Sequence, residues 1–152
     1  MYLIQIEDRK KSDCTDEVTL AANQLMIDEG LELKPYRCTA DALTIGYGRN
    51  LDSMGIRQDE AELMLTNDVR DARDDAMKFI PSDCWEQLST SRKSVVINMA
   101  FNLGLTRLSK FKNFKQALTQ HDYHRASVEM LDSQWARQVG NRALRLSEIM
   151  KG

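Results

Sequence analysis

Along DEVTLAANQLMIDE, residues 16 to 29, the apolar positions Val18, Ala21, Ala22, Leu25 and Met26 recur at the three- and four-residue intervals of one helix face. Thr15 or Asp16 is the expected N-cap, and Gly30 suits a left-handed C-terminal cap. The texture then changes. From Gly30 to Leu51 there are one Pro, three Gly and two Tyr and no helical period. Lys34–Arg37 and Leu43–Tyr47 read as short strands around a turn at Thr39–Asp41. A long helix follows over Gln58–Phe79, signalled by Ala61, Leu65, Val69, Ala72 and Ala76 and stopped by Pro81. Beyond it every segment reads as a short helix. Ser91–Leu103 is expected to bury Val95, Val96, Met99, Ala100 and Leu103 and to stop at Gly104. Leu108–Thr119 is expected to bury Leu108, Phe111, Phe114 and Leu118. Asp122–Leu131 and Asn141–Met150 complete the pattern, with Trp135 between them. No internal repeat occurs. The pattern predicts one α+β domain over 1–152: a small N-terminal lobe with a sheet (16–57), a connecting helix (58–80) and a helical C-terminal lobe (81–152).

Composition narrows the class. At 152 residues with 42% hydrophobic positions, the chain is long enough to fold around its own core without a metal or disulfide. Two Pro and seven Gly are too few for a linker-rich chain. No apolar run reaches the length of a membrane span, so no membrane insertion is expected. The opening MYLIQIEDRKKSD lacks a secretory apolar region, which predicts retention in the cytoplasm where it is made. Cys14, Cys38 and Cys84 are odd in number and widely spaced, and two His without a CxxC pair give no zinc pattern. No metal or cofactor is expected.

The net charge of −2 argues against a general nucleic-acid binder, but it conceals a division. Residues 1–76 carry 9 basic and 17 acidic side chains, net −8, and residues 77–152 carry 12 and 6, net +6. Solvated helix faces would produce this, and so would a surface that meets a polyanion.

The chemistry concentrates between Ile27 and Gly48, IDEGLELKPYRCTADALTIGYG. Glu29 stands on the last turn of the first helix, where the electronegative C-terminal end disfavours an ionised carboxylate. A carboxyl group kept protonated is what general acid catalysis requires. Eight residues separate Glu29 from Cys38, and five separate Cys38 from Thr44. This spacing resembles the signature of the phage-type lysozymes, the endolysins of glycoside hydrolase family 24: a Glu, then an Asp or Cys, then a Thr. The resemblance continues in register through DEAE (59–62), INMAFNLG (97–104) and SQWARQVGNRALR (133–145), so it covers residues 20–150.

The resemblance implies a lysozyme-like fold and hydrolysis of the β-1,4 bond between N-acetylmuramic acid and N-acetylglucosamine in peptidoglycan. It implies that Glu29 is the general acid, that Thr44 helps hold the hydrolytic water, and that Cys38 stands where many members place the Asp that activates it. Asn102 and Arg142 match substrate-binding positions, Arg142 also resembling a partner of the catalytic Glu. The glycan strand is the implied partner and the protein an implied monomer. As an endolysin it would wait in the host cytoplasm until lysis admits it to the wall. Arg49 stands where several relatives have His. Arg57 stands where they place a Thr cap, which predicts fraying at the start of the long helix.

Other readings stay open. The Cys38 thiolate can act as a base to water or attack the anomeric carbon. With Cys38 as mere filler, the chain would be a peptidoglycan-binding or lysis-regulating protein with weak or no activity. A relative acting at phage entry rather than exit fits the same residues. Asp41 is a turn former or a substitute carboxylate, and Trp85 and Trp135 stack on sugars or pack in the core. His121 and His124 read as surface residues, and Cys14 as a thiol able in principle to block Cys38.

Overall fold

A computed structural model describes residues 16–152; Cys14 lies outside them. Asp16 caps the first helix, α1 (Glu17–Glu29), by accepting the Thr19 N–H at 2.8 Å, and this bond holds its carboxyl below the usual range. Gly30 ends α1 at φ 70°, ψ 167°. The φ is positive as expected, but ψ is extended rather than left-handed helical, a region open only to Gly. The half-buried positions of α1 are Thr19, Ala22, Asn23 and Met26. The expected face is thus rotated: Val18 and Leu25 are 60% and 50% exposed.

Three antiparallel strands follow in the order β1 (Glu32–Arg37), β2 (Leu43–Gly46) and β3 (Arg49–Asn50). The β1–β2 register slips between Glu32 and Tyr36. Pro35 lies in that stretch and has no N–H for the ladder, so a bulge is the cheaper arrangement. β3 is only two residues long and was not anticipated; Asn50 then caps a one-turn helix, α2 (Leu51–Met54). The Asp52 carboxylate of α2 accepts the Leu43 N–H at 2.8 Å, tying α2 to the sheet.

The long helix α3 (Gln58–Phe79) has the predicted bounds. Its start does not lack a cap. Glu60, three residues beyond Arg57, accepts the Arg57 N–H at 2.7 Å, which is one half of a capping box. The described residues resolve into two compact units, 16–60 and 61–152. In the described part of the first, Thr44 is the sole fully buried side chain.

The second unit holds the apolar core. Ala72, Ala76 and Phe79 of α3 contribute to it, whereas Leu65 and Val69, expected inside, are exposed. α4 (Ser82–Gln87) buries Cys84 and Trp85, and the burial pushes the Cys84 thiol pKa up. α5 (Thr90–Leu108) buries Val95, Val96, Met99 and Ala100 as predicted, but Gly104 kinks it rather than ending it. Leu108 therefore belongs to the last turn of α5. α6 (Lys112–Thr119), α7 (Tyr123–Leu131), α8 (Gln134–Val139) and α9 (Asn141–Lys151) complete the unit. A chain of ring contacts runs from Phe79 to Phe114, Phe111 and Trp135 at centroid separations of 6.1, 6.5 and 6.3 Å. Both tryptophans are core residues, 3% exposed.

Candidate active site

In the first unit, the turn between β2 and β3 brings the helix-terminal carboxylate against the sheet. Ile45 pairs with Arg49, so the chain reverses through Gly46, the last residue of β2, Tyr47 and Gly48. Both glycines have positive φ, 67° and 78°, which explains the spacing of the IGYG motif. Gly48 is needed for a second reason. A Cβ there would stand 3.0 Å from Glu29 Oε2 and 3.4 Å from Glu29 Cδ, so the missing side chain is the seat of the carboxylate.

The β1–β2 hairpin carries the other two residues. Cys38 opens its tip: the Cys38 N–H donates to Ala42 O at 3.0 Å and the Asp41 N–H to Cys38 O at 2.8 Å. Asp41 takes φ 60°, a conformation Asp tolerates, and its carbonyl accepts from Arg37 Nη1 at 2.7 Å. Asp41 is accounted for as a turn former. The half-buried Cys38 thiol receives the backbone N–H groups of Ala40 and Ala42 and the Thr44 hydroxyl, which together hold its pKa below the ordinary thiol value. Thr44 Oγ1 also lies 3.0 Å from Ala42 O. One hydroxyl proton serves both acceptors, so ionisation of Cys38 competes for a proton that otherwise goes to the carbonyl.

Arg49 and Glu60 buttress this unit. The Arg49 guanidinium makes a bidentate pair with Glu60, at 2.8 and 2.5 Å, and lies 3.5 Å from Gly55 O. The carboxylate that caps α3 is thus the one that holds Arg49. Tested alone, neither residue type predicts this partnership.

In the second unit, Asn102 and Arg142 each meet a partner. Asn102 Oδ1 accepts the Trp135 Nε1–H at 2.8 Å. Arg142 donates through Nε and Nη2 to Asn98 Oδ1, at 2.9 and 2.7 Å, and through Nη2 to the Asn98 carbonyl at 3.4 Å. Asn98 was missed by sequence reasoning, although it stands one turn before Asn102 on α5. Phe101, on the same helix, is 44% exposed. Basic side chains gather nearby: Arg107, Lys110 and Lys112, with Glu129 and Asp132, help bound a cavity of about 610 Å³ whose apolar wall is Leu103, Phe111 and Trp135. His121 and His124 are exposed, as expected. Among the described residues no cluster of His, Cys, Asp and Glu is arranged to hold a metal, and no helix is long and apolar enough to cross a membrane.

A small antiparallel sheet following the first helix, a 22-residue helix and a helical remainder form the α+β architecture of lysozyme-like proteins. The family described as phage lysozyme is matched by residues 27–148, and the chain belongs to it. Glu29, Cys38, Thr44, Asn98, Asn102 and Arg142 all lie inside the match. The chain is 26% identical to the pre-baseplate central spike protein Gp5 of Enterobacteria phage T4, over 85% of its own length but 27% of the spike protein's. It is 29% identical to the endolysin of Acyrthosiphon pisum secondary endosymbiont phage 1, covering 75% of this chain and 77% of that one. Probable T4-type lysozyme 1 of Dictyostelium discoideum is 26% identical, covering 88% and 95% respectively.

Proposed function

We propose that the protein is an endolysin that hydrolyses the β-1,4 bond between N-acetylmuramic acid and N-acetylglucosamine in peptidoglycan and so lyses a bacterial host. The observation that carries this reading is the seat of the Glu29 carboxylate on Gly48. It ties the acid at the end of α1 to the sheet whose hairpin activates a thiol. In this mechanism Glu29 protonates the glycosidic oxygen as general acid. The Cys38 thiolate, drawn out by the Ala40 and Ala42 N–H groups, acts as base to a water that Thr44 helps to hold. Inversion at the anomeric carbon follows, because the water attacks the face opposite the leaving group. Asn102 and Arg142 bind the glycan, with Trp135 and Asn98 fixing their side chains.

Clearing of a wall suspension tests the reading. Wild type and Cys38→Asp both clear, and Glu29→Gln does not. An inert wild type restored by Cys38→Asp would instead make the protein a wall-binding or lysis-regulating relative. A covalent glycosyl adduct on Cys38 in the mass spectrum would make the thiolate a nucleophile rather than a base.

A further inference from the structure

We propose that Arg49 is a positioning residue for the general acid: its ion pair with Glu60 holds Gly48, and through Gly48 the Glu29 carboxyl, in place. This rests on the reading of Glu29 as the acid of a wall hydrolase. Glu29 is placed by contact. A Cβ at residue 48 would stand 3.0 Å from its Oε2, so the seat of the carboxyl moves wherever the Gly48 backbone moves. The ladder beside that backbone is short. β3 is a two-residue edge strand joined to β2 through the pairs Ile45–Arg49 and Thr44–Asn50. A ladder of this length is marginal by itself. The turn before it runs through two glycines of positive φ, which restrain the chain least.

The further restraint comes from Arg49, the next residue after Gly48. Its Nη1 and Nη2 donate to the two oxygens of Glu60 at 2.8 and 2.5 Å, and Nη1 lies 3.5 Å from Gly55 O. Glu60 also accepts the Arg57 N–H at 2.7 Å, so one carboxylate joins β3 to the start of α3. α2, between them in the chain, is tied separately, its Asp52 accepting the Leu43 N–H at 2.8 Å. Arg49 therefore pulls against a frame that is itself fixed to the sheet. All of these residues lie within the first unit. A guanidinium fork on a carboxylate sets direction as well as distance, which a single point charge does not. The pair is about one-third exposed, so it adds little stability; its value is geometric. Both terminal nitrogens are engaged within the protein, so Arg49 acts through Gly48 rather than on the sugar.

Arg49→Lys keeps the charge and removes the fork. In wall clearing, at a temperature where every variant is folded, kcat should fall about fivefold with KM unchanged. At roughly a hundredfold per ångström, that loss is a drift of about 0.35 Å at the acid. Glu60→Gln should lower kcat in the same way. In Gly48→Ala, whose carboxyl is already displaced, Arg49→Lys should cost less than about twofold, while in Gly46→Ala it keeps its full effect. A lower melting temperature with kcat intact, a rise in KM alone, or full additivity with Gly48→Ala overturns the inference. A second measurement needs no substrate. With glutamate carboxyls labelled with carbon-13, Arg49→Lys should shift the Glu29 resonance and leave that of Glu17, at the other end of α1, unmoved. No shift at Glu29, or equal shifts at both, overturns it. A wild type that fails to clear wall refutes the hydrolase instead, and the carboxyl resonances then decide by themselves whether Arg49 positions Glu29.

Discussion

Gly48→Ala is the sharpest perturbation of the Glu29 seat. Two effects arise together: φ of 78° is costly for an L-residue, and the new Cβ meets Glu29 Oε2 at 3.0 Å. Gly46→Ala separates them, because it has φ of 67° but no atom within 4 Å of its Cβ. Each change should cost about 1–2 kcal/mol of backbone strain, lowering the melting temperature by about 2–8 °C in a chain of this length. Only Gly48→Ala moves the carboxylate. Ordinary contact begins near 3.4 Å, so Glu29 must retreat by about 0.4 Å. At roughly a hundredfold in rate per ångström of misplacement, kcat falls about sixfold relative to Gly46→Ala. The assay is steady-state clearing of wall at a temperature where both variants are fully folded. Equal kcat values in the two variants would falsify the claim that Gly48 positions the acid.

Three further outcomes follow from the same geometry. The Cys38 pKa is depressed, so alkylation by iodoacetamide should rise through a midpoint below the free-thiol value of about 8.5 and fade only as pH drops through that midpoint; Thr44→Val, which removes one donor, should move it upward, and an unmoved midpoint refutes the contact. Glu60→Gln weakens both the Arg49 pair and the α3 cap; the pair is about one-third exposed, so the discounted loss is about 1 kcal/mol, seen as a fall of about 2–4 °C in melting temperature, and no change at low salt argues against it. Wall binding should weaken between about 0.05 and 0.5 M salt and lose part of that dependence in Lys110→Ala/Lys112→Ala; a salt-independent enzyme leaves the +6 of residues 77–152 as simple solvation.

The long helix was legible because its apolar period runs over many residues, and the α5 stripe because its burial repeats from Val95 to Ala100. The α1 face was not. Its apolar positions admit two neighbouring stripes, and the structure turns Asn23 inward, with its Oδ1 buried and, among the described residues, without a partner. The period of α3 likewise runs on past the core: Ala72 and Ala76 are buried, but Leu65 and Val69, on the neighbouring i+4 row, are not. β3, α2, α4 and α8 are too short to show any period. At the candidate site, residue types and spacing pointed to Glu29, Cys38 and Thr44. The anchors Asn98 and Trp135 stayed hidden because each earns its role from a side chain 33 or 44 positions away. Asn98 differs in sequence from Asn102 by nothing but one turn.

The uneven burial of the two units has a consequence for how the molecule opens. The fully buried apolar side chains run from Ala72 to Met150, while residues 16–60 bury Thr44 alone. Amide protons of β1 and β2 should then exchange through local openings well below the global unfolding free energy, and those of α5 and α9 only near it. A protease supplied in trace would cut first around the Cys38 hairpin, leaving the helical remainder as the slower-exchanging fragment. The half that carries the acid and the thiol is thus the half that breathes.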